Sequence, residues 1–125
     1  MILADTSIWI DHLHHNNPEL QERIERGRIV MHPFIIAEVS LGSLRSRRKT
    51  FELMEALWQV EVAYLDEVRN MIETKSLYSK GIGLTDAHLI ASCLMRPGTF
   101  LWTRDIRLAA VASTLGIGFN SLRPQ

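Results

Sequence analysis

The chain has 125 residues, 46% hydrophobic and 22% charged, with 14 Lys+Arg balancing 14 Asp+Glu for a formal net charge of +0. That length fits one domain, expected over residues 1–125, and the composition excludes a disordered chain. The charge balance excludes a protein held to nucleic acid by bulk charge, though not a local basic rim, and one cysteine, Cys93, excludes an internal disulfide or a cysteine-based zinc cluster.

The apolar run Met1 to Ala4 is too short for a signal-peptide core and nothing approaches a membrane span, so a cytoplasmic protein is expected. The same run, stopped by Asp5 and followed by Thr6 and Ser7, suits a strand buried on both faces of a parallel sheet. A first helix is expected from Ser7 to His14. Asn16-Asn17-Pro18 is a turn, and Pro18 opens a second helix that stops at Gly27. Ile29 to Met31 reads as a second strand, broken by His32-Pro33, and a helix follows from Phe34 to about Leu44.

The polar, basic stretch Ser43 to Thr50 reads as a link to a helix carrying Phe51, Leu53, Met54, Leu57 and Trp58. Alternation over Val60, Val62 and Tyr64 to Leu65 predicts a third strand, and Asp66 a cap on an amphipathic helix reaching Leu77. Ser79 to Gly83 is a loop and candidate flap. Thr85 is the expected cap of a helix through Leu94, ended by Pro97-Gly98. Phe100 to Trp102 is a fourth strand, Asp105 to Leu115 a last helix, and Gly116 to Phe119 a short fifth strand. Alternating strands and helices imply an α/β fold with a central parallel sheet of four to five strands and right-handed crossovers.

Four acids stand in similar settings. Asp5 and Asp105 follow apolar strands, which places both at carboxyl ends of the sheet; Glu38 and Asp86 lie on helices expected to pack at that edge. Each also has a structural reading. Asp5, Asp86 or Asp105 can serve a helix N-terminus, with Thr103 an alternative cap for the last, and Glu38 can pair with a buried cation. Glu38 shares a helical face with Phe34 and Leu41, and Asp86 with Leu89 and Ile90, so both are expected to point inward. Carboxylates brought together repel one another and raise each other's pKa unless a cation compensates. An all-oxygen ligand set selects a hard ion, Mg²⁺ or Mn²⁺.

Set side by side, Ile-Leu-Ala-Asp-Thr-Ser at residues 2–7, Ala-Glu-Val at 37–39, Leu-Thr-Asp-Ala-His at 84–88 and Trp-Thr-Arg-Asp at 102–105 resemble the PIN-domain family over essentially the whole chain. The resemblance is to the VapC toxins of toxin–antitoxin systems in particular. It implies a three-layer α/β/α fold and a Mg²⁺- or Mn²⁺-dependent endoribonuclease, usually dimeric, silenced by a cognate antitoxin. Asp5, Glu38, Asp86 and Asp105 match that family's acidic quartet, and Thr6 and Thr103 its pocket hydroxyls. Many members carry a further acid where Arg107 stands, which leaves one or two metal ions open. A bound metal would acidify water for attack on the phosphodiester, so no Ser, His or Cys nucleophile is required.

Around the quartet, Arg104 and Arg107 are the candidates for phosphate contact, while Arg45, Arg47, Arg48 and Lys49 either steer RNA or form a solvated connection. His12, His14 and His15 do not share one helical face and read as a solvated helix end. Trp9, Trp58 and Trp102 are expected to pack in the core or a dimer rather than stack on bases. The apolar helices between Phe34 and Trp58 are candidates for an antitoxin or subunit contact. The competing functional reading is a PIN-fold binding module with a structural metal.

Overall fold

The computed structural model describes residues 1–120, so the last five positions of the expected unit 1–125 lie outside the described residues. The elements run β1 (Ile2–Ala4), α1 (Thr6–His15), α2 (Pro18–Glu25), β2 (Ile29–Met31), α3 (Pro33–Ser40), α4 (Arg47–Ala56), β3 (Trp58–Gln59), α5 (Leu65–Thr74), α6 (Leu84–Met95), β4 (Phe100–Trp102) and α7 (Ile106–Thr114). All strand pairs are parallel, in the order β3-β2-β1-β4, and the helices complete a three-layer α/β/α arrangement.

The central position of β1 follows from its residues. Ile2, Leu3 and Ala4 are all buried, as a strand covered on both faces requires. β1 pairs with β2 on one side (Leu3 opposite Val30) and β4 on the other (Ala4 opposite Trp102). The chain first builds outward through β2 and β3, then returns across the sheet to lay β4 against β1. Strand order therefore reverses between β1 and β4, and a crevice opens beyond their carboxyl ends. The core around them includes Trp9, Leu20, Ile35, Met54, Ile90 and Leu108, all fully buried. α6 is enclosed along its length, Ala87 to Cys93 being buried without a break, which accounts for its weak amphipathic pattern.

Several boundaries differ from expectation. The third strand is Trp58–Gln59 and not Val60 to Leu65: of the alternating residues that predicted it, Val62 is 37% and Leu65 55% exposed, so no second sheet layer holds them. Val60 only extends the pairing by one bond, its N–H donating to the Met31 carbonyl at 2.8 Å. α3 ends at Ser40, four residues early, and α4 begins at Arg47, inside the expected link. α5 starts at Leu65, with Glu67 accepting the Tyr64 N–H, so Asp66 sits in the first turn instead of capping it. It stops at Thr74, short of Leu77. The expected fifth strand is reduced to one parallel bridge, Leu101 to Gly118.

Candidate active site

Asp5 follows β1 directly, and its N–H donates to the Trp102 carbonyl of β4 at 2.9 Å, which fixes it at the reversal point. Only 5% exposed, it caps α1: Oδ1 accepts from the Ile8 N–H at 3.2 Å and from the Ser7 hydroxyl at 2.5 Å. Ser7 in turn accepts the Arg104 N–H at 3.0 Å, tying the β4–α7 turn to the start of α1. Burial pushes the Asp5 carboxyl above the ordinary value of 3.8, against the pull of hydrogen bonds from Ser7, Thr103 and Ile8.

Asp105 repeats the device one strand over. It caps α7, Oδ1 accepting from the N–H groups of Arg107 (2.9 Å) and Leu108 (3.2 Å). Thr103, the alternative cap, instead accepts the Asp105 N–H at 3.0 Å and serves Asp5 as well, so it buttresses both acids. Asp86, in the first turn of α6, accepts the Gly83 N–H through Oδ2 at 3.1 Å. The cap position itself is Gly83 and not Thr85. The structural and functional readings therefore do not compete: in Asp86 and Asp105 the capping bonds engage one oxygen and leave the other for a ligand.

Glu38 corrects one expectation. The buried face of α3 is Ile35 and Val39, while Glu38 is exposed and its expected companion Leu41 is 88% exposed. The Phe34–Glu38–Leu41 face is turned away from the side of α3 that carries Ile35 and Val39 into the core. On that outward face the Thr6 hydroxyl donates to Glu38 Oε1 at 2.6 Å, holding α3 to the first turn of α1 and Glu38 next to Asp5. Asp86 is half-buried, not inward-facing.

The electrostatics join the four acids. The Asp86 carboxyl is raised first by its own burial, partly offset by the Gly83 N–H, and then by the negative charges of Asp5, Asp105 and Glu38. Among the described residues, none of the four forms an ion pair with a lysine or arginine. Nor do any three Asp, Glu, His or Cys side chains there stand close enough to make a complete ligand cage. Magnesium does not need one: it keeps several waters and takes one or two carboxylates directly, with substrate phosphate completing the set. An unneutralised, oxygen-only, mutually repelling group fits such an ion.

The neighbouring arginines are partly engaged. The Arg104 guanidinium pairs with Asp11 Oδ1 at 2.8 Å, and the Arg107 side chain lies on the Gly81 backbone, where φ is +78° and an added Cβ would stand 2.7 Å from Arg107 Cδ. The loop 79–83 thus rests against α7 beside Asp86. Among the tryptophans, Trp9 and Trp102 are buried, but Trp58 is 51% exposed with Arg96 stacked 3.8 Å above it. His14 and His15 lie at an exposed helix end, as expected.

Two residues escaped the sequence reading. Ser7 was noticed only as a follower of Asp5; a hydroxyl two positions after a capping Asp is the signal that marks it. His32 ends β2 as Asp5 ends β1, caps α3 by accepting the Phe34 N–H at 2.9 Å, and is fully buried with Nε2 unpartnered; burial drives it down to about 4. Its Phe34 neighbour also touches His88 of α6, at 4.6 Å between ring centres.

Comparison with known proteins gives the following. The sequence matches the PIN domain over residues 2–113. It is 38% identical over 117 residues to the protein named Ribonuclease VapC32 of Mycobacterium tuberculosis, in strain CDC 1551 / Oshkosh and equally in strain ATCC 25618 / H37Rv. Each alignment covers 94% of this chain and 94% of the relative.

Proposed function

The chain belongs to the PIN-domain family, and from that premise we propose that it is a metal-dependent endoribonuclease, the toxin of a toxin–antitoxin pair. Its substrate is RNA, cut at an exposed single-stranded loop. Of Asp5, Glu38, Asp86 and Asp105, one or two would hold Mg²⁺ or Mn²⁺ directly and the others through its waters; the bound ion would supply a water acidified for attack on the phosphodiester and offset the charge that builds there. The observation that carries the reading is that the negative charges of Asp5, Asp105 and Glu38 add to the burial that chiefly raises Asp86, while among the described residues none of the four pairs with a lysine or arginine. The likeness to the ribonucleases above supports the same activity.

Within this reading the hydroxyls do positioning work. Ser7 and Thr103 fix the Asp5 carboxylate, Thr6 fixes Glu38, and Thr103 also shapes the turn before Asp105. Arg104 and Arg107 flank the crevice as phosphate contacts. A cognate VapB-like antitoxin covers the apolar side chains left exposed at Leu41, Leu53 and Trp58, and the working form is a homodimer in the cytoplasm. No helix among the described residues is long and apolar enough to cross a membrane.

The test is RNA cleavage by the antitoxin-free chain with Mg²⁺ or Mn²⁺, wild type against Asp105→Asn. Asparagine can still cap α7 but loses the charge, so cleavage should fall on the order of a hundredfold with the fold intact. Equal cleavage by both, or cleavage indifferent to chelator, would end the proposal.

A further inference from the structure

Two arginines flank the acidic edge, and both are held away from it: Arg107 lies on the Gly81 backbone, and Arg104 pairs with Asp11. Arg104 has the greater bearing on the acids, because its backbone stands among them. Its N–H donates to the Ser7 hydroxyl at 3.0 Å, the same Ser7 donates to Asp5 Oδ1 at 2.5 Å, and Asp105 is the next residue in the chain. A guanidinium that starts there has the exposed Asp105 carboxylate within reach. Left to itself it would settle on the cluster, since arginine binds carboxylates through two parallel charge-assisted bonds.

The side chain instead turns the other way. Ser7 and Asp11 lie four residues apart on one face of α1, about 6 Å along the helix. Arg104 spans that turn and donates from Nη1 to Asp11 Oδ1 at 2.8 Å. Asp11 is itself held in place to receive it. Its second oxygen accepts from Asn17 Nδ2 at 3.3 Å, and Asn17 is fixed as the cap of α2 by the Leu20 N–H at 3.0 Å. His15, one turn further along α1, stands 3.7 Å from Asp11 Oδ1. The Asp11 side chain is 23% exposed against 61% for Arg104, so the acid is the anchored member of the pair and the arginine is the one that moves if released.

We propose that Asp11 is a positioning residue, which holds the Arg104 guanidinium off the metal-binding carboxylates. The proposal rests on the metal-site reading of those acids. A guanidinium seated on Asp105 or Asp5 would take the lone pairs and cancel the charge that a divalent ion needs. Asp11 supplies a carboxylate outside the cluster. An arginine can then stand beside the site, its remaining donors open to the RNA backbone, without occupying it.

The test is titration of Mn²⁺ into the metal-free, full-length chain in the absence of RNA, with free Mn²⁺ read by its EPR signal. Asp11→Ala should weaken Mn²⁺ binding about threefold to tenfold, the scale of coupling between charges in one network. In the Arg104→Gln background the same substitution should change nothing, because the competitor is gone. A merely structural role through Asn17, or the loss of one negative charge acting at a distance, would weaken binding equally in both backgrounds. Asp11→Asn keeps an acceptor for Asn17 and removes the charge, so it carries the same comparison if the alanine variant fails to fold. Mn²⁺ affinity unchanged by the Asp11 substitutions, or weakened alike with and without Arg104, overturns the proposal and leaves the metal site standing. Wild type that binds no Mn²⁺ overturns both. Should the coupling to Arg104 hold while wild type cleaves no RNA, the nuclease reading falls and Asp11 keeps its role.

Discussion

Replacing Asp5 by asparagine and by alanine separates charge from hydrogen bonding at the centre of the site. Asparagine keeps an acceptor for the Ile8 N–H and the Ser7 hydroxyl but removes a buried negative charge whose protonation burial already favours. In chelator at neutral pH, Asp5→Asn should therefore be as stable as wild type or more so. Alanine removes the charge and the cap together. Losing the cap costs about 0.5–2 kcal/mol, and leaving the Ser7 and Thr103 hydroxyls short of an acceptor adds about 1 kcal/mol or more. The alanine variant should fall about 1.5–3 kcal/mol below the asparagine one, or about 6–12 °C in melting temperature for a chain of this size. Thermal melts in EDTA, repeated with Mg²⁺, make the measurement: magnesium should stabilise wild type and lose that effect in Asp5→Asn. If Asp5→Asn in chelator is destabilised by about 3 kcal/mol or more, as when a buried ion pair loses one partner, the carboxylate has a counter-cation and the reasoning fails.

The pH dependence carries a definite sign. Asp5 and Asp86 hold their protons more tightly folded than unfolded, so each destabilises the metal-free fold increasingly as pH rises from 3.8 through its raised value. His32 opposes this: pushed down to about 4 from 6.5, it costs stability as pH falls through that window. The difference between wild type and Asp5→Asn cancels His32, and the asparagine variant's advantage should grow from pH 4 to 7 in melts; a flat difference would contradict the raised carboxyl. At Gly81, with φ +78° and Arg107 against its backbone, alanine should cost about 1–2 kcal/mol and displace the arginine, read as a lowered denaturation midpoint.

What the sequence offered was strongest where one residue answers to one local rule. Asp5 and Asp105 end apolar strands, and in a parallel sheet that alone puts them on the carboxyl edge. Alternating strands and helices implied a parallel sheet but not its strand order, and it is the observed order β3-β2-β1-β4 that makes β1 and β4 neighbours. Glu38 was assigned its helix correctly and its face wrongly, since Phe34 and Leu41 carry the same apolar label as Ile35 and Val39 and only tertiary packing decides which pair is buried. The same ambiguity moved the third strand: apolar alternation after Val60 has no sheet to face, while Trp58 and Gln59, without any alternation, complete the edge. His32 gave no sign of its burial, because a proline after it reads as a turn until the strand beside Asp5 is in place.

The capping role of these acids explains how they coexist at all before any cation arrives. Asp5 and Asp105 cap α1 and α7, and Asp86 sits in the first turn of α6, so three helix N-termini point their positive ends at one cluster. Each contributes about 0.3–1 kcal/mol to a nearby negative charge, and the backbone N–H groups add charge-assisted hydrogen bonds. Dipoles fixed in the fold can soften the repulsion but not abolish it: Asp86, raised first by its burial, is raised further by the charges of Asp5, Asp105 and Glu38. A full ionic partner would abolish it and would also leave nothing for a divalent ion to gain. On the reading proposed above, this is what a reversible metal site needs: dipoles that ease the repulsion in the metal-free fold, and enough of it left for a divalent ion to relieve.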